Sequence, residues 1–178
     1  MKRMMFILIL GMVTNFVYGQ IEIKKVITEL QGDGYTYIHK WDESGLITLY
    51  NKENVYTDVP VVFKDTGEIP PDYLSEDPII EDGWSHDKYV EIINNAFTVD
   101  QRQQLKGKIL RVQISVDSTT GRLVDVEFTF LETTPLNDFP LSFWRNLELK
   151  LKESIYLKPS DYGKRMNYLP FGRMHKFE

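Results

Sequence analysis

Apolar and polar residues alternate along two neighbouring segments in the second half of the chain. Apolar residues occupy every second position over 110–116 and again over 124–130. This period of two is typical of a strand with one buried face. Residues 117–121 between the segments read Asp-Ser-Thr-Thr-Gly, which is a turn composition. The pattern predicts a β-hairpin.

Helical spacing appears on both sides of this hairpin. Before it, Ser85 can cap a helix whose apolar positions share one face, namely Val90, Ile93 and Phe97. After it, a second helix over 143–156 carries Phe143, Leu147, Leu151 and Ile155 on one face. Glu148 and Lys152 form a favourable pair on another face of that helix. Pro159 ends the helix, because proline disfavours helical geometry in the residue before it.

Two shorter features complete the second half. Thr98 and Gln101 have the spacing of a capping box, and Gly107 is placed to end the short helix that follows. Residues 165–177 predict a last strand. Pro170 and Gly172 interrupt it, which favours an edge position in the sheet.

The first half predicts strands and then a loop. Residues 20–63 form a β-rich N-terminal part, in which alternate positions over 35–41 carry Tyr35, Tyr37, His39 and Trp41 on one face. Residues 55–63 alternate as well, and Pro60 favours an edge strand there. Residues 64–86 are rich in Pro, Gly, Asp and Glu, and they predict an acidic loop or linker.

The N-terminus has the pattern of a signal peptide over residues 1–19. Lys2 and Arg3 precede an apolar run over 4–13, and Gly19 supplies a small residue before a cut ahead of Gln20. The alternative is an uncleaved anchor, which needs roughly 20 apolar residues. Thr14 interrupts the run before that length. We therefore expect a periplasmic or secreted protein with no stable membrane anchor after cleavage.

Composition removes several classes of function. The chain has no cysteine, which excludes disulfides, thiolate metal sites and cysteine nucleophiles. Residues 20–100 carry 6 basic and 17 acidic residues, whereas residues 101–178 carry 13 basic and 9 acidic residues. The halves can complement each other within one fold, or the basic half can present a binding face. An acidic pI near 5.3 argues against a nucleic-acid partner.

Several motifs occur in an order that resembles the C-terminal domain family of TonB. They are GKILRVQISVD over 107–117, GRLVDV over 121–126, the helix over 143–156, an aromatic-x-x-Pro stretch over 156–159, and Gly163 before a closing strand. The resemblance spans residues 87–178. It implies an α+β fold in which a small antiparallel sheet is backed by helices.

The resemblance also implies a mode of interaction, because the sheet edge in that family can accept a partner strand. An exposed edge offers unpaired amide and carbonyl groups, and an added strand satisfies them. Alternatively, proline and glycine stand in the last strand to block such pairing. The residues expected to contact a partner are Trp84 in the acidic loop and, on the last strand, Met166, Tyr168, Phe171 and Arg173.

No pattern in the chain indicates catalysis, a cofactor or a metal. His39, His86 and His175 are far apart in sequence, and none belongs to a metal-ligand pair on one helix. We therefore expect a non-catalytic envelope protein that binds an envelope protein or a peptide. The alternative is a small extracytoplasmic hydrolase acting on glycan or peptide, in which carboxylates or His39 converge in a cleft.

N-terminal sequencing of the exported protein tests the signal peptide. We expect Gln20 or a neighbouring residue as the first residue of the mature chain. An intact Met1 on the exported protein would contradict cleavage and restore the anchor.

Overall fold

The structure is a computed structural model, and it describes residues 25–71, 76–80 and 83–178, with side chains in the last range from Ser85 onward. The predicted signal peptide over 1–19 lies outside these residues. The strands are β1 Lys25–Gln31, β2 Thr36–Asp42, β3 Leu46–Asn51, β4 Ile79–Ile80, β5 Ile109–Asp117, β6 Leu123–Leu131, β7 Lys158–Pro159 and β8 Tyr168–Lys176. The helices are α1 Gly83–Ala96, α2 Val99–Leu105 and α3 Leu141–Ser154.

The predicted α+β class is confirmed. Six strands form one antiparallel sheet in the order β1-β2-β3-β6-β5-β8, while β4 and β7 form a separate two-stranded ladder. Pairing of β3 with β6 joins the β-rich N-terminal part to the C-terminal half. Both halves therefore share one sheet. Among the described residues, no helix has the length and apolar character needed to cross a membrane.

Local sequence signals account for the best-predicted elements. The hairpin of β5 and β6 is confirmed, and the Asp117 carboxylate accepts hydrogen bonds from the Thr119 and Thr120 amides in its turn. The capping box is confirmed as well, since Thr98 and Gln101 exchange both hydrogen bonds at the start of α2. Gly107 follows that helix with a φ of 78°, which L-residues with a side chain rarely adopt.

The core lies between the helices and one face of the sheet. Trp144 of α3 stacks on Phe130 of β6 with ring centroids 5.1 Å apart, and Phe97, just after α1, meets Phe177 beyond β8 at 5.0 Å. The alternating apolar positions of β5 and β6 supply the floor beneath these rings. Aromatic pairs of this kind contribute about 0.5–1.5 kcal/mol beyond their buried area.

A fully buried carboxylate connects α3 to β2. Lys152 binds Glu148 at 2.5 Å, so the predicted pair is present, and Glu148 is buried. Arg145 also binds the carboxylate at 3.0 Å, and the Tyr37 hydroxyl donates a hydrogen bond to it. Burial alone would raise the pKa of Glu148, but these hydrogen bonds outweigh burial and hold the pKa below its ordinary value.

One predicted strand and one predicted helix start are wrong. Residues 55–63 form no strand, because the Asp125 carboxylate binds the Val55 and Tyr56 amides and Asp58 turns the chain at a φ of 61°. Helix α1 begins at Gly83 inside the predicted acidic loop, so Ser85 lies within the helix rather than capping it.

The buried Glu148 predicts a specific loss of stability in the Tyr37→Phe variant. Removing one donor from a buried carboxylate should lower the free energy of unfolding by about 1–3 kcal/mol. Urea denaturation measures this loss. Tyr35→Phe is the matched control, since the Tyr35 hydroxyl makes no hydrogen bond to the described residues and should leave stability unchanged. Equal stability of both variants and the parent would contradict the assignment.

The lowered pKa of Glu148 also fixes the sign of a pH effect. The ionised carboxylate stabilises the fold above pH 4.5, the ordinary pKa, and this contribution is lost as pH falls through the lowered pKa of the folded state. As pH falls, protonation of Glu148 should account for part of the parent's loss of unfolding free energy. The Glu148→Gln variant should lack this part of the loss.

Candidate functional site

Strand β8 is an edge of the six-stranded sheet, and among the described strands it pairs with β5 alone. The Phe177 amide donates to the Lys108 carbonyl at 3.1 Å, so the backbone groups of Phe177 point toward β5. In an antiparallel ladder the neighbouring residues point the other way. The backbone groups of Pro170, Gly172, Met174 and Lys176 therefore face outward from the sheet.

The beginning of this edge is covered by residues 60–63. The Asn167 amide donates to the Val62 carbonyl at 2.9 Å, and the Asn167 side chain accepts from the Val62 amide at 3.0 Å. Phe63 and Met166 form an antiparallel bridge beside this pair. This short segment of the chain therefore occupies the place of a further strand next to the start of β8.

A buried carboxylate anchors the segment that leads to this cover. Asp125 of β6 accepts hydrogen bonds from the Val55 amide at 3.1 Å and the Tyr56 amide at 2.6 Å. The Tyr56 ring then stacks on Tyr168 with centroids 4.4 Å apart, and the Tyr168 hydroxyl donates to the Val59 carbonyl at 2.6 Å. These contacts hold the segment against the sheet face that is opposite to the helices.

The predicted contact residues therefore have different surroundings. Met166 is buried in the hydrophobic core, and Tyr168 is buried against Tyr56 and Val59, which leaves both little surface for a partner. Phe171 and Arg173 lie farther along β8, and the Arg173 guanidinium is 4.6 Å from the centre of the Phe171 ring. Trp84 belongs to the first turn of α1, and its side chain lies outside the described part of the structure.

Beyond Pro170, no described segment of the chain pairs with the edge. No backbone group in the described ranges forms a hydrogen bond with the outward groups of Gly172, Met174 or Lys176. Pro170 has no amide hydrogen, so it faces outward without losing a hydrogen bond. The open edge, as we call the outward side of residues 170–176, thus offers the amides of Gly172, Met174 and Lys176 and the carbonyls of the same residues.

Two hollows lie along the open edge. A mainly apolar hollow of about 600 Å³ is bounded by Asp77, Pro78, Ile79 and Ile80 on one side and by Pro170 and Phe171 on the other. A cleft of about 610 Å³ with both polar and apolar lining residues lies between the end of β8 and helices α1 and α2. We call it the β8–α1 cleft, and its lining includes Tyr89, Arg102, Arg173, His175 and Lys176.

The base of the β8–α1 cleft contains two buried polar atoms. The Tyr89 hydroxyl and the His175 Nε2 have no hydrogen-bond partner among the described residues, and their rings are 6.5 Å apart. Burial raises the pKa of Tyr89, and Arg173 offsets this only in part. Burial also lowers the pKa of His175, against a smaller opposing effect of Glu178. Both groups are therefore neutral at neutral pH.

Among the described residues, no group of three His, Asp or Glu side chains is placed to bind one metal ion. His39 lies beside a separate hollow of about 330 Å³, whose wall includes Phe130, Asn137 and Trp144. A carboxylate does not line this hollow within the described ranges.

Comparison with known proteins identifies the family. A sequence profile described as a domain of unknown function, DUF5043, matches residues 10–173. This chain belongs to the DUF5043 family. It is similar to a DUF5043 family protein of Bacteroides uniformis known from a crystal structure, with 34% identity and a TM-score of 0.79. The match covers 85% of this chain and 86% of that chain. Curated proteins yield no match.

The assignment to the TonB C-terminal domain family is therefore wrong. Both the profile and the solved structure identify DUF5043, and nothing in the comparisons points to TonB. The motifs that carried the resemblance are turn glycines, strand-end aspartates and a proline after a helix. Each of these meets a general requirement of hairpins and helix ends, so the motifs do not identify a family.

Three residues of the cleft in this DUF5043 chain were not predicted from sequence as functional, namely Tyr89, Arg102 and His175. Tyr89 and His175 are brought together by packing of α1 on β8. Arg102 donates from Nη1 to the carbonyls of Asn94 at 2.6 Å and Phe97 at 3.0 Å, which satisfies the end of α1. Each residue alone is compatible with an ordinary structural role, so the sequence offers no signal for the set.

Proposed function

We propose that this DUF5043 protein is a non-catalytic binding module that takes an extended segment of a partner protein as an additional strand on the open edge of β8. The observation that carries the proposal is the set of outward backbone groups at Gly172, Met174 and Lys176, which have no partner among the described residues. We place the interaction outside the cytoplasm, on the basis of the signal-peptide pattern over 1–19.

The physical reason is the unused hydrogen-bonding capacity of an edge strand. A strand that adds to β8 satisfies alternate amides and carbonyls, and each hydrogen bond contributes about 0.5–1.5 kcal/mol net. The chain itself contains a short example of this pairing, because Val62 and Phe63 lie antiparallel to Met166 and Asn167. A partner segment would continue that line beyond Pro170.

The two hollows give the added strand places for its side chains. Side chains of the partner that point to the helix side lie next to Phe171, Arg173 and His175, which share that face of β8. The apolar hollow near Ile79 and Phe171 suits an apolar side chain. Farther along, the β8–α1 cleft suits a polar one.

Charge favours an acidic segment as the occupant. Arg102, Arg173 and Lys176 line the cleft, opposed there by Glu178. On the opposite sheet face, Arg111 lies directly across from Met174 of the open edge. A basic surface attracts acidic partners and raises the rate at which they associate. The partner chemistry that fits is therefore an extended, acidic peptide segment.

Replacing Met174 by proline tests the open edge. Met174→Pro removes one outward amide and leaves pairing with β5 intact, as Pro170 already does in the same strand. The probe is a pool of random 12-residue peptides rich in Asp and Glu, with affinity measured by fluorescence anisotropy. We expect micromolar to millimolar binding to the parent and a loss of about tenfold or more in the proline variant, because a donor is lost and a partner carbonyl is left unpaired.

Met174→Ala is the matched control, since it shortens the same exposed side chain and keeps the amide. It should bind the pool within about twofold of the parent. Circular dichroism and thermal melting of both variants check that the sheet is intact. Undetectable binding to the parent, or equal binding to the folded proline variant, would contradict strand addition at this edge.

A further inference from the structure

The base of the β8–α1 cleft contains two polar atoms that lack the hydrogen bonds expected of buried groups. Tyr89 is 3% exposed and His175 is 7% exposed, and neither the Tyr89 hydroxyl nor the His175 Nε2 has a partner among the described residues. An unsatisfied buried donor or acceptor costs about 1–3 kcal/mol. Native structures contain few such atoms, and here two of them line the same cleft.

The two atoms lie beside the open edge. His175 is on the helix side of β8, two residues from Arg173, and its outward-facing neighbours Met174 and Lys176 belong to the open edge. A side chain of an added strand that points to the helix side therefore enters the β8–α1 cleft beside His175. Tyr89 then faces this entrance from α1, since its ring is 6.5 Å from that of His175.

The surrounding charges select the chemistry of the ligand group. The phenol of Tyr89 donates a hydrogen bond, and the imidazole of His175 donates one when Nε2 carries its proton. Arg102 and Lys176 line the same cleft and favour an anion, opposed there by Glu178. A carboxylate can accept both hydrogen bonds with its two oxygens and also meet a cation.

We propose that Tyr89 and His175 bind a carboxylate of the partner segment, and that this contact makes the open edge selective for acidic peptides. The inference rests on the strand addition proposed above, and it adds a specificity site to it. The carboxylate can come from an Asp or Glu side chain or from the C-terminus of the partner, and the experiment distinguishes these two sources.

The experiment compares peptide pools with the parent and with the Tyr89→Phe and His175→Gln variants. Two pools of 12-residue peptides differ only in carrying Asp and Glu or the neutral Asn and Gln, and each pool is made with a free and with an amidated C-terminus. For the parent we expect the acidic pool to bind about tenfold more tightly than the neutral pool. Tyr89→Phe and His175→Gln should each reduce this ratio to about twofold and leave the neutral pool unchanged.

The Tyr89→Phe variant separates binding from stability. Because the hydroxyl has no partner among the described residues, its removal should leave the melting temperature unchanged or raise it. Tyr156→Phe is the matched control, since Tyr156 is exposed and does not line the cleft. His39→Gln is the control for His175, because His39 lines a separate hollow and does not line the cleft.

Each outcome decides between the two proposals. A preference that follows the side chains identifies Asp or Glu as the source of the carboxylate, and a preference that follows only the free C-terminus identifies the chain end. Equal binding of all pools to the parent and both variants would overturn the carboxylate site while leaving strand addition intact. No binding of any pool to the parent would overturn both proposals.

Discussion

The pairing of Asn167 with Val62 determines how much of the β8 edge is available. Its two hydrogen bonds, at 2.9 Å and 3.0 Å, hold the chain against the start of β8, and the Asn167 Nδ2 adds a third bond to the Pro60 carbonyl at 3.1 Å. The anchor behind this pairing is Asp125, which binds the Val55 and Tyr56 amides from the adjacent sheet face. Residues 60–63 therefore cover the start of the β8 edge, and this cover does not reach Pro170.

This arrangement divides β8 into two parts with different properties. The part near Met166 and Tyr168 is buried and contributes to stability, whereas residues 170–176 keep their outward groups free of partners in the described chain. Exposed edges usually invite aggregation, and Pro170 limits this risk by removing one donor. Gly172 lacks a side chain, and its backbone is accessible to an incoming strand. Pro170 thus removes one donor from the open edge, and Gly172 leaves the backbone beside it accessible.

Local patterns predicted the elements that depend on local chemistry. The alternation over 110–116 and 124–130 gave the hairpin, and Thr98 with Gln101 gave the capping box, because each signal is completed within a few residues. The strand predicted over 55–63 failed for a non-local reason, since Asp125 lies about 70 residues away in the chain and binds the amides that a strand would have used. Burial of Glu148 depends likewise on Tyr37, 111 residues distant. The Tyr89 and His175 pair also arises only when α1 packs on β8, so spacing in the sequence could not reveal it.

Amide hydrogen exchange along β8, followed by nuclear magnetic resonance, tests the open edge most directly. In the free protein we expect an alternating pattern, with slow exchange at Phe171, Arg173 and His175, which face β5, and fast exchange at Gly172, Met174 and Lys176. Addition of the acidic peptide pool should slow the second set and leave the first set unchanged. Slow exchange at all six amides in the free protein, or no change in the second set when peptide is bound, would contradict an open edge at β8.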